Sequence, residues 1–229
     1  VIPAHRDEPD VPRQPEIPRR KVHKMPRPLL TPLNQLVLST EYLGDMRLGI
    51  ADHLGWAVAV TASADRRVVD RRRIELIEPG LPAAPIHYEG HRLDVAATVA
   101  LVAKVRASVV RATTAALDEL AAALPAPVVS ISLRAWPPDF PADITVQRRA
   151  PYESRVDAIM YRQVLAELAR ARDWEVRFYN AKDVEGRAVS LLGGRAVEVL
   201  QSPRATMGPP WTKDHRLALA ATIVGGPSS

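Results

Sequence analysis

Two Asp-His steps, Asp52-His53 and Asp214-His215, set a carboxylate beside an imidazole, side chains that exchange protons or hold a cation near neutral pH. Each also has a plain structural reading. Asp52 suits a turn, where its side chain bonds nearby backbone amides, and His53 suits a turn or a surface. Asp214 suits the first turn of a helix, where the dipole favours negative charge. The other histidines, His5, His23, His87 and His91, are scattered; His87 and His91 are four apart, but Gly90 and the prolines upstream make their segment a loop rather than one helical face for zinc. Other chemistries are absent from the sequence. Without cysteine there is no thiol nucleophile, disulfide or zinc ribbon. No Gly-Lys-Ser/Thr phosphate loop, His-Glu-x-x-His pair or Gly-x-Ser-x-Gly elbow occurs, and Gly193-Gly194 reads as the stop of a helix.

The elements that must position these residues follow from apolar spacing. Met46 to Ile50 and Trp56 to Thr61 are short apolar runs separated by a turn containing Gly55, which predicts a hairpin. Arg67 to Ile77 follows as a third strand whose polar middle, Arg71-Arg72-Arg73, suits a charged edge. Asp94 predicts the N-cap of a long helix over 95–124 that Pro125 ends, and Pro127 to Leu133 reads as a buried strand. A second helix is expected over 153–172, with Val156, Ile159, Met160, Gln163, Val164 and Leu168 as its buried stripe. Glu175 to Tyr179 is a further strand, followed by helical segments near 183–192, 195–201 and 211–224. The expected fold class is α/β with a mixed sheet, three antiparallel strands followed by alternating helices and two parallel strands.

This order resembles the ribonuclease H-like superfamily and its RuvC-type Holliday junction resolvases. Leu48-Gly49-Ile50-Ala51-Asp52 followed by Gly55-Trp56-Ala57-Val58 is similar to their first strand and hairpin, and Trp211 to Ala220 is similar to their last helix. The resemblance implies carboxylates that hold two divalent ions, magnesium or manganese, against a phosphodiester, hence a metal-dependent endonuclease if the site is active. Asp52, Asp214 and His215 would be its catalytic residues, with Asp52 and Asp214 as metal ligands. Asp52 stands one residue later than the family position, which Ala51 occupies, and side chains alternate faces along a strand. Val128 to Arg134 lacks the acid expected on the middle strand; Asp139, Glu153 or Asp157 are the candidates to replace it. A catalytically degenerate interaction or scaffold protein of the same fold is therefore the alternative. An actin-like nucleotide-binding relative is disfavoured by the missing glycine-rich phosphate turns.

The chain has 229 residues, 47% hydrophobic and 25% charged, enough for one sizeable core. Its net charge of +5 suits a nucleic-acid partner, yet only five of the 31 basic residues are lysines, a pattern that a GC-rich bacterial genome produces by itself. Residues 1–33 hold eight of the 21 prolines and the basic knot Arg19 to Lys24, and are expected to be an extended or disordered arm. Residues 34–224 are expected to form one ribonuclease H-like domain, with Leu36-Val37-Leu38 as an extra edge strand or docking segment, and 225–229 a flexible tail. No apolar run approaches the ~18 residues needed to span a bilayer, so a cytoplasmic protein is expected, with nucleic acid, a protein partner or a second copy as its partners.

Overall fold

The computed structural model describes residues 44–225; the proline-rich arm, the Leu36-Val37-Leu38 run and residues 226–229 lie outside the described residues. Strands β1 (Met46–Asp52) and β2 (Trp56–Ala62) form the expected hairpin, with Asp52 opposite Ala57. Gly55 makes the turn possible. Its φ is +83°, and an added Cβ would meet the methyls of Ile77 and Ala83 at 3.1 and 3.2 Å. Strand β3 (Val68–Glu75) pairs with β2 and forms the sheet edge.

Helix α1 (Val95–Ala123) begins where Asp94 accepts the Ala97 amide at 2.7 Å and stops at Leu124, extended before Pro125. Strand β4 (Val128–Arg134) runs parallel to β1, and β5 (Glu175–Tyr179) runs parallel to β4. Between them lie the short α2 (Ile144–Gln147) and the longer α3 (Val156–Arg170). The chain continues through α4 (Val184–Leu192), α5 (Ala196–Gln201), α6 (Pro203–Met207) and α7 (Lys213–Val224). The sheet order is β3-β2-β1-β4-β5, so β1 is its central strand. This is the mixed α/β architecture expected from the sequence, three antiparallel strands joined to two parallel ones. Among the described residues no helix is long and apolar enough to cross a membrane.

Strand alternation divides the core into two layers. Leu48, Ile50, Ala57 and Ala59 pack with Val105 and Leu117 of α1 and Leu165 of α3. Ala51, Val58 and Val60 pack on the opposite face with Leu217, Ala218 and Ala221 of α7. Gly49 is what lets α7 lie so close. An added Cβ there would stand 1.9 Å from the Ala218 carbonyl oxygen and 2.8 Å from its carbon.

The structure adds elements that periodicity did not show. Pro85–Gly90 is a single π-helical turn rather than a loop, because the buried Asp157 carboxylate of α3 accepts the amides of Ile86 and His87 at 3.1 and 2.9 Å. Burial pushes the Asp157 pKa up, against those two bonds. Helices α2 and α6 lie in stretches read as connections, and α7 starts at Lys213 because Thr212 is extended as its cap.

Candidate functional site

Asp52 ends β1 on the face that α3 covers. Its carboxylate is 2% exposed, and Nε of Arg162 on α3 donates to Oδ2 at 2.7 Å. Nε of Arg134, at the end of β4, stands 3.7 Å from Oδ1. A carboxylate buried without a counter-charge costs several kcal/mol, so the Arg162 contact explains how Asp52 is tolerated there. The phenol of Tyr179, across β4 on β5, donates to the Ile50 carbonyl at 2.7 Å, and burial holds its pKa well above the ordinary tyrosine value.

The second cluster lies on the opposite side of the sheet. The His53 ring stacks on Trp56 at 4.0 Å and 8°, while the Arg73 guanidinium carbon sits 3.9 Å from the Trp56 ring centre. The imidazole and the guanidinium thus both pack against the indole. His53 Nε2 is 3.1 Å from Oδ2 of Asp214 in the first turn of α7. Trp211 is buried, and its indole N–H donates to the Leu200 carbonyl at 2.9 Å. Trp56, Arg71, Arg73, Pro210 and Asp214 line a cleft of about 400 Å³. Arg71 fixes its outer wall, donating through Nη2 to the carbonyls of Met207 and Pro209 at 3.0 and 3.1 Å.

His215 is engaged in the backbone. Its Nδ1 accepts the Thr212 amide at 3.1 Å and lies 2.8 Å from the Thr212 hydroxyl, so the imidazole takes the place of the glutamate or glutamine in a capping box. Burial lowers its pKa first, and the nearby Arg71 charge lowers it further against the opposing pull of Asp214. A protonated Nδ1 cannot accept the amide. Because the folded pKa lies below the unfolded one, the cap's contribution is present above the unfolded value and lost as pH falls through the folded value. Lowering the pH from about 7 to about 5 is therefore expected to destabilise the wild type more than His215→Gln, which keeps the cap without a titrating ring. Parallel denaturant titrations check this, and a His215 that titrates at or above the ordinary histidine value by NMR would contradict it.

The residues singled out in the sequence thus fall into two groups. The structure brings His53 and Asp214 together, with His215 beside them, and sets Asp52 apart against Arg162 and Arg134. The parity of β1 explains the division. The position facing α7 is Ala51, which packs among the apolar side chains of that helix, and the next residue faces α3. Asp157 serves the Pro85–Gly90 turn, Asp139 is exposed, and β4 contributes Arg134 where an acid was sought. Among the described residues no three His, Asp or Glu side chains form a group that could hold a metal ion. Magnesium or manganese does not fit the donors present, since a guanidinium already occupies the Asp52 carboxylate and Asp214 engages an imidazole. Arg162 was missed in the sequence because a charged residue between the apolar positions of α3 reads as solvent-facing. Its signal was the parity of β1, which points a buried carboxylate toward that helix.

No protein-family model matches the chain, and no curated protein matches it. Among solved structures the chain is similar to T. thermophilus RuvC in complex with Holliday junction substrate. The identity is 11%, the match covers 79% of this chain and 92% of that chain, and the TM-score is 0.45.

Proposed function

We propose that this protein binds nucleic acid at the end of its sheet without hydrolysing it. The observation that carries this reading is the Asp52 carboxylate paired with Arg162. A two-metal phosphodiesterase needs a surplus of negative charge at the central strand end, and here two guanidiniums face one carboxylate. Arg73, Arg134 and the net charge of +5 supply the sequence-independent attraction for phosphate. The same strand end carries Arg134 on β4, and Trp56 and Arg73 on β2 and β3, a row of groups spanning three inter-strand spacings.

Incubation with duplex, branched and RNA:DNA hybrid substrates plus magnesium or manganese is expected to give no cleavage, while affinity falls steeply between about 50 and about 200 mM salt. Arg134→Gln is expected to reduce the salt slope by about one. Metal-dependent cleavage abolished by Asp52→Ala would overturn the non-hydrolytic reading. Absence of binding at low salt would leave the interaction-protein alternative, which the exposed Val189, Leu191 and Val197 of α4 and α5 favour.

A further inference from the structure

We propose that the cavity between α1, α3 and the connection from β4 to α3 binds a small primary amine, its ammonium held by Asp157 and its apolar body by the cavity walls. Two aspartates are buried among the described residues, and their surroundings differ. Asp52 has the Arg162 guanidinium against it. Asp157, 3% exposed, has the backbone amides of Ile86 and His87, and no Lys, Arg or His side chain among the described residues pairs with it. Buried carboxylates are ordinarily matched by a cation, so one without such a partner beside a cavity marks a place for a positive charge brought from outside.

The cavity measures about 260 Å³, and Asp157 is part of its lining. Val102 of α1, Phe140 and Ile144 of the connection, and Ile159 and Met160 of α3 supply apolar walls. An apolar cavity of about 150 Å³ holds benzene, so this one has room for an aryl ring with a short aminoalkyl arm. The chemistry of the lining narrows the cation. A divalent metal ion needs several oxygen ligands, and Asp157 is the only carboxylate among the described residues that line the cavity. An ammonium needs an anion at its head and tolerates carbon along its stem. Arg106 also lines the cavity, but its Nη2 donates to both oxygens of Glu167 at 2.7 and 2.6 Å, so its charge is already met. Each Asp157 oxygen accepts one amide and keeps a second lone pair for the ammonium.

Titration of the full chain at about pH 7 with phenethylamine, phenethyl alcohol and hydrocinnamate tests this, with the labelled methyls of Ile159 and Met160 followed by NMR. The three ligands share a ring and differ in the charge of the head group. The amine is expected to bind at least about tenfold tighter than the alcohol, the scale of a hydrogen bond to a charged group, and to shift both methyls. Hydrocinnamate, whose charge opposes that of Asp157, is expected not to bind. Asp157→Asn is expected to weaken the amine at least about tenfold and to leave the alcohol within about twofold.

Asp157 also anchors the Pro85–Gly90 turn, but the wild-type comparison of the three ligands needs no variant, so a poorly folded Asp157→Asn protein leaves the test intact. Equal affinity for amine and alcohol, a preference for hydrocinnamate, shifts confined to residues outside the cavity, or no binding of any of the three would each overturn the proposal. No arm of the experiment involves nucleic acid, so the proposed function stands or falls separately.

Discussion

Arg162→Met is expected to lower stability by about 3–5 kcal/mol, the cost of leaving a buried carboxylate without its hydrogen-bonded partner. Asp52 cannot escape to water from its place at the end of β1, and Arg134 stands too far from Oδ1 to bond it as built. Adding Asp52→Asn to Arg162→Met removes the stranded charge, so the double variant is expected to be more stable than the single one. The exposed His53–Asp214 pair provides the contrast. Its partners are 39% and 36% exposed, and such pairs are worth about 0–1 kcal/mol, so Asp214→Asn is expected to change stability little. Urea unfolding of these variants measures all the terms. A loss below about 1 kcal/mol for Arg162→Met would mean that Asp52 is solvated and that the buried pair does not exist.

Gly49→Ala is expected to cost about 3 kcal/mol, at the upper end of overpacking substitutions. The added methyl meets a backbone carbonyl rather than the tip of a flexible side chain, with the Thr222 methyl a further 3.0 Å neighbour. The whole of α7 must lift for the methyl to fit. For a domain of this size that corresponds to a melting-temperature drop of about 6–12 °C. Lifting α7 also draws Asp214 from His53, so the His53 ring signals are expected to shift in NMR spectra of the variant. Gly55→Ala is a different case, strained by its backbone conformation as well as by contact. A Gly49→Ala protein as stable as the wild type would contradict the close packing of α7 on β1.

Most of the scaffold was legible because local signals agreed. The β1–β2 hairpin follows from two apolar runs around Gly55, α1 from its Asp94 cap and its Pro125 stop, and the central place of β1 from three hairpin-joined strands preceding an alternating half. The charged run Arg71-Arg72-Arg73 was read as an edge strand and is one, with alternation sending Arg73 to Trp56 and Arg72 to Asp70, near Glu119 of α1. Asp157 was not legible as an anchor, since its amide partners lie about 70 residues away in a segment with no helical period.

The chemistry was legible only to the point where parity mattered. Apolar spacing places Asp52, Asp214 and His215 at the ends of their elements, and the parity of β1 then turns Asp52 to the face opposite α7. Sequence spacing within a strand tells which residues share a face, but not which helix supplies the counter-charge on that face. Arg162, 110 residues away, comes from tertiary packing alone. His215 illustrates the same limit, because an imidazole three residues after a threonine can be a metal ligand or the acceptor of a capping box, and only the position of Thr212 distinguishes the two.

Asp52 faces α3 and Arg162 rather than converging with Asp214 on a divalent ion. Titrating isotope-labelled protein with manganese, and mapping which backbone and imidazole signals its unpaired electrons broaden, measures this most directly. The expected result is no saturable, localised broadening of Ala51, Asp52, His53 and His215. Selective broadening of Asp52 together with Asp214 that saturates as manganese is added would contradict it.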